Sequence, residues 1–242
     1  MRGLFVTGTD TAVGKTVVTA ALAAAFRAEG IDTGVSKPVQ SGNLAADPEG
    51  DTQQLIRLSG VDDPPERVNA YSLRAALAPL VAARQEGVDI EPERVLQSVR
   101  RLAAGHDTVL VEGAGGFTVP LADGWTVADL AAALGLPVLI VGRPGLGTVN
   151  HTTLTVMAVR SAGLQVAGVI LNGHVDEDDH SRHSNAALIT EVTGVQVLGV
   201  IPKVEGELTA GRLRRMVAGH VDLRPLRAAL TGRVEARAGG TV

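Results

Sequence analysis

A glycine- and threonine-rich loop constrains the fold of this chain more than any other stretch. Residues 7–16 read TGTDTAVGKT and lie between a short apolar run and a segment rich in Ala, Leu and Val. Small residues let consecutive backbone N–H groups face phosphate oxygens, and the N-terminus of a following helix adds its dipole. In such a loop Lys15 reaches the β- and γ-phosphates, and the Thr16 hydroxyl can be a ligand of Mg²⁺. The loop therefore predicts binding of a nucleoside triphosphate.

The spacing of this loop departs from the common Gly-x-x-x-x-Gly-Lys pattern. Five residues separate Gly8 from Gly14, and Thr9 stands at the usual position of the first glycine. The alternative is a tight strand–helix turn that happens to contain a lysine. The predicted strand before the loop, the predicted helix after it and the Gly-Lys-Thr end favour the phosphate-binding interpretation.

Short apolar runs alternate with helix-length segments along the chain, a pattern typical of a parallel sheet. Predicted strands cover residues 4–7, 33–37, 108–111, 138–141, 167–171 and 197–200, and the clearest predicted helices cover 15–28, 127–134 and 148–162. Each strand is rich in aliphatic or β-branched residues, as expected where helices cover both faces of a sheet. We therefore expect one α/β domain over residues 1–242, with a mostly parallel central sheet and helices on both faces.

Two segments extend this simple pattern. Residues 47–101 are long for a single crossover and predict extra helices beside the sheet. Residues 208–242 predict a basic, helical C-terminal tail, because seven Arg residues there face only Asp222 and Glu235. A basic tail could contact nucleic acid, but it has no aromatic residues between its charges, so we interpret it as a solvated helix face.

The composition excludes several classes of function. The chain has no Cys, which excludes disulfides, thiolate nucleophiles and cysteine-ligated metal sites. Neither a run of about 20 apolar residues nor a signal peptide is evident, so we predict a cytoplasmic protein without a membrane or nucleic-acid partner. Only three of the 22 basic residues are lysines, namely Lys15, Lys37 and Lys203. Their positions are informative because this residue type is so sparingly used.

Two acidic residues could complete a metal site beside the phosphate loop. Glu112 follows the apolar run 108–111 and precedes the sequence GAGG. An acid at the end of a strand beside such a loop is a metal or water ligand in many nucleotide hydrolases, although it could also cap the following turn. Asp51 begins a helix-like stretch, where an acid by itself is an ordinary N-cap.

Five blocks together resemble the dethiobiotin synthetase family: residues 8–16, KPVQSG at 37–42, VEGAGG at 111–116, LGTVNH at 146–151 and IP at 201–202. They occur in family order and span about residues 4–204. The resemblance implies a homodimeric enzyme with a P-loop NTPase-like fold, an ATP-dependent cyclo-ligase that uses Mg²⁺. Its substrates would be 7,8-diaminononanoate, CO₂ and ATP, and its products dethiobiotin, ADP and phosphate. The implied route runs through a carbamate and a carbamic–phosphoric anhydride.

The resemblance also implies roles for individual residues. It implies catalytic roles for Thr11, Lys15 and Lys37, with Lys37 beside the carbamate, and a metal site at Thr16, Asp51 and Glu112. The implied nucleotide-binding residues are Ala12, Val13, Gly14, Lys15, Thr16, Val17, Asp51, Glu112, Gly113, Ala114, Gly115, Asn172, Gly173, Pro202, Lys203, Val204 and Glu207. The implied substrate-binding residues are Thr11, Lys37, Ser41, Gly115, Gly116 and Asn150. In the family the Asn150 segment comes from the partner subunit, so the active site would lie near the subunit interface.

Other functions use a similar loop. A P-loop ATPase switch of the partitioning or cell-division type would bind a protein partner, but its distinctive second lysine stands where this chain has Asp10. The ATPase half of a cobyrinate-type amidotransferase is a third possibility, for which the chain lacks the cysteine of a glutaminase. Within the resemblance itself, Ala12 and Gly173 stand where some members of the family carry an acid.

Overall fold

The computed structural model describes residues 1–174 and 181–230, and a parallel sheet forms the centre of this part of the chain. The strands described are, in chain order, β1 (Gly3–Gly8), β2 (Thr33–Ser36), β3 (Val39–Ser41), β4 (Tyr71–Leu73), β5 (Thr108–Gly116), β6 (Pro120–Ala122), β7 (Trp125–Thr126), β8 (Val138–Gly142), β9 (Val166–His174) and β10 (Val197–Pro202). Six of them build the central sheet in the order β10-β9-β8-β1-β5-β2, and all their pairings are parallel. These six are the strands predicted from the sequence.

Two small sheets lie beside the central one. Strands β3 and β4 pair in parallel, and β6 and β7 form an antiparallel hairpin. Strand β3 precedes the long segment 47–101, and β4 lies within it. This segment therefore contributes a strand as well as the predicted helices.

The helices described are α1 (Lys15–Ala28), α2 (Asp51–Ser59), α3 (Pro65–Val68), α4 (Pro79–Glu86), α5 (Pro92–Ala103), α6 (Val127–Leu134), α7 (Thr148–Ser161), α8 (Ser181–Thr193), α9 (Ala210–His220) and α10 (Arg224–Leu230). The predicted bounds of α1 and α6 are confirmed, and α7 ends one residue before its predicted end. None of these helices, within the described ranges, is long and apolar enough to cross a membrane. The cytoplasmic location stays a prediction from the sequence.

Helices cover both faces of the sheet, as predicted. Side chains alternate between the faces of β1, so that Leu4 and Val6 join one buried cluster and Phe5 joins the other. The first cluster packs under α1, α2, α9 and α10, and the second packs under α5, α6 and α7. Within the basic C-terminal segment, Leu213 and Leu226 are fully buried. The apolar side of α9 and α10 thus belongs to the core, and residues 231–242 lie outside the described part.

Strand register positions the functional residues. Val6 of β1 pairs with Glu112 of β5, and Ser36 at the end of β2 pairs with Val111. Lys37 therefore lies beside Glu112 at the carboxyl edge of the sheet. The expectation that Glu112 follows its strand was wrong: β5 continues through the glycines to Gly116, because Gly8 still pairs with Gly116 at that level.

Candidate active site

A cavity of about 410 Å³ opens at the carboxyl edge of β1, β2 and β5. It is lined by the phosphate loop, the start of α1, the segment 37–41, α2 and the end of β5. The lining residues are Thr11, Ala12, Gly14, Lys15, Thr16, Val17, Lys37, Gln40, Ser41, Asp51, Gln54, Glu112, Ala114 and Gly115. The fold therefore brings together all three predicted catalytic residues and all three predicted metal ligands, although they come from four separate segments of the sequence.

The phosphate loop has the backbone conformation of a tight anion-binding turn. Ala12 has φ of 57° and is the one non-glycine residue with positive φ among those described. Gly14, the N-cap of α1, has φ of 86°, and a Cβ there would lie 2.1 Å from the amide nitrogen of Asn172. Both its conformation and this close approach require glycine. The side chain of Lys15 folds over the loop and donates to the carbonyl of Asp10 at 2.9 Å.

Three oxygen atoms converge beside Lys15. The Thr16 hydroxyl lies 3.1 Å from Asp51 Oδ1 and 3.0 Å from Glu112 Oε1, so its single proton is shared between two carboxylates. Glu112 is fully buried, and its second oxygen, Oε2, has no hydrogen-bond partner within the part of the chain that the structure describes. A buried carboxylate oxygen without a partner is costly unless a cation approaches it. Hard oxygen ligands of this kind fit Mg²⁺, which typically binds one or two carboxylates together with phosphate oxygens.

Lys37 is the centre of the charged cluster. Its ammonium group lies 2.6 Å from Glu112 Oε1 and 2.8 Å from Asp51 Oδ2, and donates to the carbonyl of Gly113 at 3.1 Å. Only 2% of the residue is exposed. The strand-end position alone would have suited a surface lysine, and the buried pairing with two carboxylates distinguishes it from one.

Burial and neighbouring charges shift the pKa of each charged group in the cluster. Burial, followed by repulsion from Lys37, lowers the pKa of Lys15 to about 8. Burial opposes the charge of Lys37 as well, but Glu112 and Asp51 outweigh it and raise the pKa of Lys37 above its usual value. Burial raises the pKa of Glu112 despite the nearby ammonium group, whereas Lys37 holds the pKa of Asp51 below its usual value. Lys37 is therefore a permanent cation at neutral pH.

Asp51 does not act as the N-cap of its helix. Gly50 is the N-cap of α2 and Asp51 is the first helical residue, so its carboxylate is directed to Lys37 and Thr16. Sequence reasoning missed Gln40 and Gln54, which also line the cavity. Gln40 lies within the block KPVQSG that carries the family resemblance, and this position was the available signal for it.

Of the other predicted substrate residues, Thr11, Ser41 and Gly115 line the cavity, whereas Gly116 and Asn150 do not. The Ser41 hydroxyl donates to the carbonyl of Leu77 at 2.7 Å, which anchors the loop before α4. The backbone N–H of Thr11 donates to Asp10 Oδ1 at 2.7 Å. Gly116 follows Gly115 at the end of β5 and pairs with Gly8 of the phosphate loop. Asn150 is exposed in the first turn of α7, outside the cavity of this chain.

The predicted base-binding residues lie at the ends of β9 and β10, next to the phosphate loop. The Asn172 side chain donates to the carbonyl of Val13 at 3.1 Å, and Asn172 pairs with Ile201 of β10. Gly173 is the next residue of β9, and Val13 of the phosphate loop is buried. After β10 the chain passes the partly exposed residues Pro202 and Val204 and the exposed residues Lys203 and Glu207.

Arg143, to which the family resemblance gives no role, pairs with the phosphate loop. Its guanidinium group lies 3.3 Å from Asp10 Oδ2, and both side chains are about half exposed. Asn185 of α8 donates to the carbonyl of Pro144 at 2.8 Å and holds the loop that carries Arg143. The partner of Arg143, Asp10, is the residue that stands where partitioning ATPases carry their second lysine.

Comparison with known proteins identifies the family. A family described as "AAA domain" matches residues 2–209. The ATP-dependent dethiobiotin synthetase BioD of Anaeromyxobacter dehalogenans (strain 2CP-C) is 53% identical over 202 residues, which cover 84% of this chain and 90% of that protein. The protein of the same name from Bacillus subtilis subsp. natto is 43% identical over 223 residues, 92% of this chain and 96% of that protein.

Solved structures with the same fold are more distant in sequence. The cell-division ATPase MinD of Pyrococcus furiosus is 20% identical, with a TM-score of 0.53 over 84% of each chain. A ParA family ATPase from Chlorobium tepidum is 16% identical, with a TM-score of 0.54 over 96% of this chain and 97% of that chain. At these identities the likeness concerns the fold alone, and it confirms the predicted P-loop NTPase-like architecture.

Proposed function

Because the chain belongs to the family of ATP-dependent dethiobiotin synthetases, we propose which of its residues carry out the reaction of that family. The protein is an ATP-dependent ligase that forms dethiobiotin, and its phosphate loop implies a metal associated with the nucleotide. One observation carries the assignment of roles: Lys15, Lys37 and two carboxylates meet in a single cavity at the carboxyl edge of the sheet.

The proposed substrates are 7,8-diaminononanoate, CO₂ and ATP. One amine nitrogen of the diamine bonds to the carbon of CO₂ and loses a proton, which gives a carbamate. A carbamate oxygen then bonds to the γ-phosphorus while the bond to the β–γ bridging oxygen breaks and ADP leaves. Finally the second amine bonds to the carbonyl carbon and loses a proton, and phosphate leaves with the former carbamate oxygen as the ring closes.

Lys15 and the phosphate loop hold the triphosphate. Phosphoryl transfer depends mainly on positioning and on stabilising charge, and both are supplied by a cation and by N–H groups fixed before the substrate binds. Lys15 lines the cavity at the start of α1, whose N-terminus attracts the phosphates. Its contact with the carbonyl of Asp10 keeps the ammonium group over the loop.

Lys37 stabilises the carbamate. A carbamate is an anion made from a neutral amine, so a fixed cation beside it favours its formation. The raised pKa of Lys37 means that this residue acts as a cation and not as a base. Ser41, four residues further along the same segment, and Thr11 across the cavity supply hydroxyl groups that orient the two amines.

Thr16, Asp51 and Glu112 are the proposed ligands of Mg²⁺. The support for this assignment is the convergence of their oxygen atoms and the buried, unpartnered Oε2 of Glu112 within the described residues. When bound, Mg²⁺ neutralises the charge of the β- and γ-phosphates. The residues Ala12–Val17 and Gly113–Gly116 supply backbone groups beside the phosphates, and Asn172, Gly173, Pro202, Lys203, Val204 and Glu207 border the purine and ribose.

We propose that the enzyme is a homodimer in which the N-terminal turn of α7 reaches the partner's active site. Exposed apolar side chains occupy the loop before α7 and the outer sides of α7 and α8, namely Leu146, Leu154, Met157, Leu188 and Val192. Leu146 is 87% exposed in the loop before α7. Within α7, residues 150, 154 and 157 are spaced three or four apart, so they follow one face of the helix. A second copy of the chain would cover these side chains and bring Asn150 to the substrate carboxylate.

The dimer is tested by the variant Met157→Glu. Sedimentation velocity should give a dimer for the wild-type protein and a monomer for this variant, because a buried charge opposes association. The KM for the diamine should rise while the affinity for ATP is retained. Val81→Glu is the matched control, since it places the same charge on an exposed apolar position of α4. A wild-type monomer with full activity would refute the proposal.

The reaction is tested by following phosphate release from ATP in the presence of Mg²⁺ and bicarbonate. We expect release only when 7,8-diaminononanoate is added, together with a product of the mass of dethiobiotin. Release that is independent of the diamine would support the alternative, an ATPase switch that acts on a protein partner. No release under either condition would contradict both functions.

A further inference from the structure

Gln40 links the strand that carries the substrate residues to the helix that carries Asp51. It lies in β3, directly before Ser41, and only 1% of the residue is exposed. Its side-chain oxygen accepts from the backbone N–H of Thr52 at 2.9 Å and from the Thr52 hydroxyl at 2.6 Å. Its amide nitrogen donates to the carbonyl of Asn43 at 2.8 Å.

The first turn of α2 depends on this acceptor. The first N–H groups of a helix have no partner within the helix, and an N-cap side chain usually satisfies one of them. Here the N-cap is Gly50, which has no side chain. Gln40 of β3 therefore supplies the cap of α2, and it does so at Thr52, the residue next to Asp51.

The surroundings of Gln40 fix its orientation. If its oxygen and nitrogen exchanged places, the NH₂ group would face the N–H of Thr52, and the oxygen would face the carbonyl of Asn43. Donor would then face donor and acceptor would face acceptor, so both hydrogen bonds would be lost. Gly50 allows the approach, because a Cβ at this position would lie 3.0 Å from the Gln40 amide nitrogen and 3.1 Å from the Asn43 Cβ. The glutamine and the glycine thus form one tightly packed contact at the wall of the cavity.

We infer that Gln40 is a positioning residue for Asp51: its cap holds the start of α2 so that the Asp51 carboxylate stays between Thr16 and Lys37. The inference rests on the proposed role of Asp51 as a metal ligand. Asp51 is the member of the cluster that most needs such support, since 41% of its side chain is exposed whereas Lys37 and Glu112 are buried. Because Ser41 follows Gln40 directly in β3, the same contact connects the strand that carries the Ser41 hydroxyl to the helix that carries Asp51.

The test measures binding of a fluorescent, non-hydrolysable ATP analogue with excess Mg²⁺ and with EDTA. The ratio of the two dissociation constants gives the contribution of the metal, which a general loss of structure would not change selectively. Gln40→Met removes the cap and should reduce this ratio about five- to tenfold. Gln53→Met is the matched control, because Gln53 belongs to the same helix but donates to the carbonyl of Ala45 and does not cap the first turn. Its ratio should equal that of the wild type.

Thr52→Val tests the route of the effect, because it removes one of the two contacts to Gln40. It should reduce the ratio less than Gln40→Met does, and the double variant should be no worse than Gln40→Met alone. An unchanged ratio in Gln40→Met, or effects that multiply in the double variant, would overturn the inference. If Gln40→Met does not fold, Thr52→Val is compared with Thr52→Ser: a reduced ratio in the valine variant alone supports the inference, and equal ratios overturn it.

Asp51→Asn separates this inference from the proposed function. If Asp51→Asn leaves the ratio unchanged, the assignment of Asp51 as a metal ligand is wrong. If Asp51→Asn reduces the ratio and Gln40→Met does not, the metal site stands and the positioning role of Gln40 fails.

Discussion

A charged cluster lies near each end of the strand pair β2–β5. The two clusters differ in how many of their charged atoms have hydrogen-bond partners within the protein. Near the carboxyl edge of the sheet lie Thr16, Lys37, Asp51 and Glu112, which we call the carboxyl-edge cluster. At the amino ends His106 lies between two carboxylates, with Nδ1 3.0 Å from Asp32 Oδ1 and Nε2 2.9 Å from Asp63 Oδ2. We refer to the second group as the amino-edge cluster.

The amino-edge cluster is extended by arginines on both sides. Arg27 lies 3.2 Å from Asp32, and Arg67 lies 3.4 Å from Asp63. Both ring nitrogens of His106 and both carboxylates thus have protein partners. The cluster joins the start of β2, the start of β5 and the segment before α3, so we expect its contribution to be structural.

The carboxyl-edge cluster has similar components but a different balance. Its hydroxyl, carboxylates and ammonium group converge on a cavity, and one buried oxygen of Glu112 has no partner in the described ranges. Charged groups that line a cavity and still have an atom without a partner are suited to bind a ligand there. We therefore propose that the amino-edge cluster stabilises the fold and that the carboxyl-edge cluster binds substrate, and three substitutions and one change of pH test this difference.

The largest effect should follow Lys37→Met. Removing one fixed cation from the reacting groups should lower kcat for ring closure by about 10²–10³-fold. Binding of the ATP analogue should change by less than about threefold, because Lys15 and the phosphate loop are retained. Steady-state phosphate release and fluorescence titration measure the two quantities. A variant that turns over at the wild-type rate would leave Lys37 without a catalytic role.

The next effect concerns pH. Lys15 has a pKa of about 8, so it loses its proton as the pH rises through that value, and the free enzyme then lacks the cation that attracts the triphosphate. Affinity for the ATP analogue should be constant below this pH and fall by about tenfold per pH unit above it. In Lys15→Arg the affinity should be independent of pH over the same range, since the guanidinium group stays protonated. Constant wild-type affinity up to pH 9.5 would contradict the role of this titration.

A moderate effect, on stability alone, should follow His106→Leu. The substitution leaves the largely buried Asp63 without its hydrogen bond and should lower the free energy of unfolding by about 1–3 kcal/mol. Urea denaturation measures this change, and kcat and KM should stay within about twofold of the wild-type values. Loss of activity at unchanged stability would show that the amino-edge cluster communicates with the active site.

The smallest effect should follow Arg67→Met at the rim of the same cluster. Arg67 is about half exposed and pairs with Asp63 in the segment before α3, so its ion pair should contribute no more than about 1 kcal/mol. The same denaturation assay would detect it, preferably at low salt, where screening is weak. If Arg67→Met lowered the free energy of unfolding as much as His106→Leu does, the stability of the cluster would depend on its outer charges.

Much of the architecture could be predicted from the sequence because local signals agree with the tertiary structure there. Ala-rich periodicity and the Gly-Lys start defined α1, and buried aliphatic runs defined the six central strands. The end of β5 could not be predicted, since its glycines resemble a loop until their pairing with β1 is known. The small β3–β4 sheet was missed for a similar reason: three-residue strands are too short to show a period.

For the site, the sequence by itself indicated the triphosphate, and the tertiary structure decided which charged side chains meet. The loop at residues 7–16 already predicted a phosphate-binding turn, because few residue types suit that task. A role for Lys37 came only from the family resemblance, since a lysine after a strand by itself suits the surface. That Lys37 binds both carboxylates, that Gly50 leaves the capping of α2 to Gln40, and that His106 belongs to a separate cluster depend on strand register and on contacts between distant segments. Such contacts are set by packing across the sheet, and a local sequence pattern does not contain them.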